Sequence, residues 1–272
     1  MPRNPYSDLF IYYLAGKFRP GKTFQPEHYI GSWEEDGFSF LFFTRPSLAL
    51  VENTVSGLPD ISLLDHYHMS YSQWQGGDIT PCRIGRFIIT PPWFPEADPP
   101  DATTILLDPG VVFGTGTHPT TRDCISALEL AFSDEPAETV LDLGTGTGLL
   151  ALVAARLGAE RVLAADLTLL AAQTARRNVI LNTLAHRILV TQGNAEKLID
   201  IPGDLVVSNI HFDVMADLIR STGFSKKKRF ILSGLMRSQA KQVEAILESL
   251  SATLIQKWDQ NGIWFTFYGK IR

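Results

Sequence analysis

Two aspartates, two asparagines and a run of glycines are the residues of this sequence whose spacing could do chemistry together. Asp142-Leu-Gly-Thr-Gly-Thr-Gly148 sets a carboxylate two residues ahead of glycines 144, 146 and 148, immediately before the Ala/Leu-rich run Leu149–Leu157. Glycines let a backbone turn tightly and let a ligand approach it closely, and a helix start adds unpaired N–H donors. Asp166 closes the next apolar run, roughly 20 residues beyond the glycine turn, where a carboxylate can take both hydroxyls of an adenosine ribose. Gly193-Asn194-Ala195 follows a third apolar run, at a place where an adenine edge could be read, and Asn209 ends a fourth.

The glycine spacing and the charge beside it separate two ligand classes. A dinucleotide turn wants G-x-G-x-x-G with a pyrophosphate on the helix N-terminus. Here the third glycine comes one residue early, Leu149 stands in the sixth position, and Asp142 would repel a pyrophosphate. A cationic ligand suits that carboxylate better, and the α-ammonium of S-adenosylmethionine (AdoMet) is one. The D-x-G-x-G-x-G pattern resembles the AdoMet-dependent methyltransferases. A glycine turn can also be a purely structural strand–helix junction, so the surrounding elements must discriminate.

Those elements alternate. Val140–Leu143 and Arg161–Asp166 read as buried strands, with helices over Leu149–Leu157, ended by Gly158, and over about Leu169–Leu181. Ile188–Gln192, Asp204–Ile210 and Arg229–Ser233 continue the strands, and a helix covers about Gln239–Leu250. Thr253–Trp258 and Ile263–Tyr268 are split by Gln260-Asn-Gly262, a hairpin turn. Five β/α units closed by an antiparallel hairpin is the layout of the AdoMet methyltransferase fold, and dehydrogenases lack that hairpin. Ahead of it, Leu107–Thr121 carries Gly114, Gly116 and several threonines. It reads either as a glycine loop with a capping threonine or as a lid over the Asp142 turn, before a helix over Arg122–Phe132.

The expected fold class is α/β: a seven-stranded Rossmann-like sheet with a closing antiparallel hairpin, plus a small N-terminal α+β module. Residues 1–70 form the module, 71–107 a proline-rich connector with a leading strand, and 108–272 the catalytic domain. In the module, Leu9–Leu14 reads as a strand and Lys17–Lys22 as a turn-rich connection. Tyr29–Trp33 and Phe38–Phe43 flank an Asp36-Gly37 turn, with a short helix over Ser47–Val55 and a strand over Leu63–Tyr71. Prolines 91, 92, 95, 99 and 100 make the connector stiff and non-helical, apart from the strand Arg86–Thr90. His66 and His68 share a strand face, a half-exposed surface in the ordinary reading and a metal pair in the sharper one.

The chain has 272 residues, 45% hydrophobic and 19% charged, with a net charge of −5. That balance argues mildly against non-specific nucleic-acid binding and suits a basic protein partner. Cys82 and Cys124 give neither a disulfide framework nor metal-ligand spacing, and no metal is expected. The start, Met1-Pro-Arg-Asn-Pro-Tyr, has no apolar leader segment and no run reaches a membrane span, so the expectation is a cytoplasmic protein. Lys226-Lys-Lys-Arg229 is expected to be a solvated turn, not a nucleic-acid patch.

With these pieces placed, a narrower resemblance emerges. Asp108-Pro-Gly-Val-Val-Phe-Gly-Thr-Gly-Thr-His-Pro-Thr-Thr121, Asp142–Gly148, Asp166, Ser208-Asn-Ile210 and Leu232-Ser-Gly-Leu235 resemble the ribosomal protein L11 (PrmA-type) methyltransferases, as does Phe87–Trp93. The likeness covers about residues 74–272, and the F-G-T-G-T-H-P-T-T loop is its specific part. It implies AdoMet as cofactor, held by Thr121, Gly144, Gly146, Asp166, Asn194 and Asn209, with Asn209 also beside the transferring methyl as the catalytic residue. It implies a protein substrate, a large-subunit ribosomal protein methylated on lysine ε-amines or its N-terminal amine. Two departures stand out. The mouth motif reads Asn-Ile-His, with His211 at a usually apolar position. The family's two-helix N-terminal domain is shortened, because Pro20, Gly21 and Pro26 interrupt the first helix.

Methyl transfer to an amine needs a neutral nitrogen held in line, and a lysine of ordinary pKa of about 10.4 must first lose a proton. Asn209 and the Ile210 carbonyl can orient it, and His118 or His211 could take the proton, with nothing in the sequence to choose between them. Two other readings remain: methylation of a different protein's lysine, and a non-catalytic AdoMet-binding module. A nucleic-acid base as acceptor is disfavoured, since Ile210-His-Phe212 lacks the prolines of the base-stacking motif.

Overall fold

A computed structural model describes residues 4–21, 24–94 and 99–271. Met1–Arg3, Lys22 of the first turn and Pro95 of the connector therefore lie outside the described residues. The chain divides into two compact units, Met1–Thr80 and Pro81–Arg272.

The first unit is built on an antiparallel sheet. Its strands are β1 (Asp8–Ala15), β2 (Tyr29–Glu35), β3 (Phe38–Phe43) and β4 (Ser62–Ser70), in the order β2-β3-β1-β4. Asp36 and Gly37, both at positive φ, make the tight turn that the Asp-Gly pair requires. Helix α1 (Leu48–Val55) lays Val51 and Val55 against Tyr12, Leu14, Leu41 and Phe43, the alternate side chains of two strands. Between β1 and β2 the described residues form no helix, as the prolines require. His68 stacks on Phe10 and bonds Asp8 at 3.0 Å, while His66 stacks on Tyr12; no three metal-ligating groups converge among the described residues.

The stretch 71–107 departs from the expected connector. Ser70 closes a capping box with Gln73 and starts helix α2 (Tyr71–Gln75), which belongs to the first unit. Beyond Thr80 the second unit opens with three short strands, β5 (Cys82–Ile84), β6 (Phe87–Thr90) and β7 (Thr103–Leu106). They pair as β5-β6-β7 in the gaps between prolines, where strand hydrogen bonds remain possible.

The rest of the second unit is the alternating α/β body. In chain order it comprises α3 (Pro119–Asp134), β8 (Thr139–Leu143), α4 (Leu149–Leu157), β9 (Arg161–Asp166), α5 (Leu169–Leu181), β10 (Ile188–Gln192) and α6 (Ala195–Leu198). It continues with β11 (Leu205–Asn209), α7 (Phe212–Arg220), α8 (Thr222–Ser225), β12 (Arg229–Met236), α9 (Arg237–Ser249), β13 (Ala252–Gln260) and β14 (Trp264–Ile271). Seven strands form one sheet in the order β10-β9-β8-β11-β12-β14-β13. The first five are parallel, and β14 runs antiparallel to both β12 and β13, giving the closing hairpin. Strand alternation splits the core in two. Val140, Val207 and Ile231 face the cluster of α3, α4 and α5, while Leu141, Val206 and Phe230 face that of α7 and α9.

The basic run departs from a solvated turn at two of its four positions. Lys227 is buried and donates to the Ile201 carbonyl. Arg229 is buried too, its guanidinium donating to the Ala131, Glu135 and Pro136 carbonyls around the end of α3, where helix carbonyls run out of helical donors. Lys226 and Lys228 stay exposed, the latter paired with Asp204 at 2.8 Å.

Candidate functional site

All the candidate residues gather at the carboxyl ends of four adjacent parallel strands and the first turn of α3. That edge is where open α/β sheets leave a crevice for ligands. After β8, the chain turns through Gly144, Gly146 and Gly148 into α4, all three at positive φ. A Cβ on Gly146 would stand 2.6 Å from the Phe113 carbonyl oxygen, so glycine is needed where the preceding loop crosses the turn. On Gly144 a Cβ would run into the Ile210 side chain, which sets the glycine turn against the end of β11.

The loop 113–118 is fastened to that turn. Thr147 N–H donates to the Phe113 carbonyl at 3.1 Å, and its hydroxyl donates to the Gly114 carbonyl at 2.7 Å. Thr147, a spacer between glycines in the sequence, is thus the residue that ties this loop to the turn. Thr121 is not in the loop: α3 starts at Pro119, earlier than expected, because His118 caps it and Pro119 fits a first helical position. The Thr121 hydroxyl oxygen is buried with no hydrogen-bond partner.

Asp142 is folded into the turn rather than displayed on it. One oxygen accepts from the Thr145 hydroxyl at 2.6 Å and from Ala151 N–H at 3.1 Å. The other is buried without a partner, and burial pushes the carboxyl up to about 7. Asp166, half-buried at the end of β9, accepts from Gly146 N–H at 3.0 Å through one oxygen, and from the Thr168 backbone and hydroxyl through the other. Asn194 spends its side-chain oxygen on Glu196 N–H, capping α6, and its neighbour Gly193 donates to the Asp166 carbonyl.

Asn209 ends β11 and donates from Nδ2 to the Thr120 hydroxyl at 3.2 Å. Thr120 lies 2.7 Å from Nδ1 of His118, which also accepts the Thr120 backbone N–H. Burial lowers the His118 pKa, so the ring is neutral near pH 7, with Nδ1 committed as an acceptor and its proton on Nε2. As placed, His118 is a helix cap that orients Thr120, and its one basic nitrogen is already used. His211 is exposed at the start of α7 and makes no capping bond. The sequence reading missed Thr120 entirely; its only signal was the Thr120-Thr121 doublet following the glycine loop.

Comparison with known proteins adds to this geometry. The family described as "Ribosomal protein L11 methyltransferase (PrmA)" matches residues 67–272. A ribosomal protein L11 methyltransferase of Desulfitobacterium hafniense is 40% identical over 185 residues, covering 67% of this chain and 58% of that protein. One from Listeria welshimeri is 40% identical over 194 residues, covering 68% and 59%. The chain thus spans about three fifths of the length of these relatives. A crystal structure of a ribosomal protein L11 methylase from Lactobacillus delbrueckii subsp. bulgaricus superposes with a TM-score of 0.61 at 30% identity, covering 71% of this chain and 99% of that one. By the extent of the family match, this chain belongs to the ribosomal protein L11 methyltransferases.

Proposed function

We propose that the chain is an AdoMet-dependent protein N-methyltransferase acting on lysine ε-amines, or the N-terminal amine, of a large-subunit ribosomal protein in the cytoplasm. The observation that carries this reading is the Asn209 amide: its nitrogen is taken by Thr120, which leaves its oxygen for an acceptor amine beside the glycine turn. The residues fit the cofactor. Asp166 is anchored for a ribose beside the Gly146 turn, and the Thr121 and Asp142 oxygens are buried without partners. Asn194, after β10, is the residue this reading gives to the adenine edge, through the amide nitrogen that its cap of α6 does not use. No described helix is long and apolar enough to cross a membrane.

When bound, AdoMet would supply an electrophilic sulfonium methyl for transfer to the amine nitrogen, with sulfur keeping the C–S electron pair. The protein's part is placement, since in-line alignment supplies most of what such a displacement needs. Asn209 Oδ1 and the Ile210 carbonyl accept the N–H donors of the amine and aim its lone pair. Removal from water favours the neutral amine. With His118 capping the helix through its basic nitrogen, no side chain is assigned as proton acceptor.

The test compares wild type with Asn209→Ala. Turnover should drop by about a hundredfold or more, a larger loss than in AdoMet affinity, because alignment is felt mainly in the transition state. Equal losses would make Asn209 a cofactor residue only. Mass spectrometry of ribosomes from a strain lacking the protein should show one ribosomal protein without its methyl groups. A different protein substrate is the second reading, favoured because the family match begins at residue 67 and leaves most of the first unit outside it.

A further inference from the structure

Gly234 interrupts β12 in a way its own strand does not explain. It has φ of +86°, and the register of β12 against β14 shifts between Ser233 and Leu235. On the other side β12 stays paired with β11, Asn209 opposite Ser233. The shift therefore turns the Gly234 backbone toward the end of β11. A Cβ there would lie 2.9 Å from Asn209 Oδ1 and 3.1 Å from the Ile210 carbonyl oxygen. These are the two oxygens to which the amine has been assigned. Both lie against the place where a side chain at residue 234 would stand.

We infer that Gly234 is a positioning residue for the acceptor: its missing side chain keeps Asn209 Oδ1 and the Ile210 carbonyl uncovered, so that a primary amine can donate to both. The inference rests on the proposed methyl transfer. A neutral primary amine carries two N–H donors and one lone pair. With the donors given to two oxygens, the lone pair is left pointing away from them, toward the methyl group. Glycine is required twice over, by the left-handed backbone and by the space in front of the oxygens. The Asn209 amide is held against that space by its Nδ2 bond to Thr120, and Ser233 reinforces it by donating to the Thr120 carbonyl at 3.4 Å. A methyl group at 234 would crowd the carboxamide oxygen and cover the carbonyl, without touching Asp166, Gly146 or Asn194.

The experiment uses the full chain, radiolabelled AdoMet, and ribosomes from a strain deleted for this protein as the acceptor. Gly234→Ala should bind AdoMet with wild-type affinity by calorimetry, while kcat for methyl transfer falls about a hundredfold. Transfer within about tenfold of wild type would overturn the inference. So would loss of AdoMet affinity in step with turnover, which would mean that the strand had been distorted as a whole. Should the alanine variant not fold, Gly234→Asn takes its place under the same criteria, because asparagine tolerates the left-handed region better. A wild-type protein that transfers no methyl group to these ribosomes overturns the proposed function and this inference with it. An active wild type beside an equally active Gly234 variant overturns the inference alone.

Discussion

At the scale of single residues, Asp142 has a measurable signature. Burial holds its carboxyl at about 7, against roughly 3.9 in an unfolded chain. The folded state thus binds the proton more tightly. The stabilisation this gives is complete below about pH 4 and is lost as pH rises through 7. An ammonium ligand needs the ionised carboxylate. AdoMet affinity should accordingly weaken on acidification below pH 7, by up to about tenfold per pH unit. Titration calorimetry between pH 5.5 and 8 would read this slope, and Asp142→Asn should flatten it; a flat wild-type profile would detach Asp142 from the ammonium. The residues legible from sequence were those whose signal is local. Asp142 and Asp166 announce themselves by standing at the ends of apolar runs, and Gly144 and Gly146 by their spacing. Thr120 and Thr147 were not legible, because their roles are bonds to Asn209 and to the Phe113–Gly114 carbonyls, partners that only the tertiary fold brings near.

Among the elements, α5 and its C-cap supply a pair of asparagines one turn apart, Asn178 and Asn182, that staple the segment leading to the 113–118 loop. Asn178 accepts from Asp108 N–H and donates to the Asp108 and Thr147 carbonyls, each at 2.9 Å. Asn182 does the same for Leu106, accepting at 3.0 Å and donating at 2.6 Å. Replacing Asn178 with alanine removes three hydrogen bonds to the backbone of Asp108 and Thr147, at about 1 kcal/mol each. A net loss of about 3 kcal/mol would lower the melting temperature by about 6–12 °C for a unit of this size. Differential scanning calorimetry showing an unchanged melting temperature would mean that water replaces the amide. The strands and long helices were readable because their periodicity is local, whereas α7 was overlooked. Its Phe212, Met215, Ala216 and Ile219 follow the helical spacing, and only their proximity to the Asn209 motif hid them. The buried side chains of Lys227 and Arg229 gave no such warning, since a basic run reads the same whether water or a helix end satisfies it.

For the whole molecule, the division after Thr80 separates every candidate cofactor residue from the first unit. A chain beginning at Pro81 should keep its AdoMet affinity and lose most of its methylation of ribosomal protein, since a lysine side chain alone offers little binding energy for positioning. A folded, AdoMet-competent preparation is the control; full-rate methylation by it would remove the first unit from substrate binding. The net charge of −5 suits a basic protein partner, so the proposed methylation by the full chain should fall with added salt.

Helix α3 is gripped at both ends by one strand. Arg229 at the start of β12 holds its last carbonyls, and Ser233 further along the same strand bonds Thr120 in its first turn. A rod pinned at two points on one support cannot tilt against it. Movement at the crevice is therefore expected in the segment before the rod, where two hydrogen bonds from Thr147 fasten residues 113–114 to the glycine turn. In deuterium, the amides of residues 112–117 should exchange well before those of 124–131, and adding AdoMet should slow the first set while leaving the second as it was.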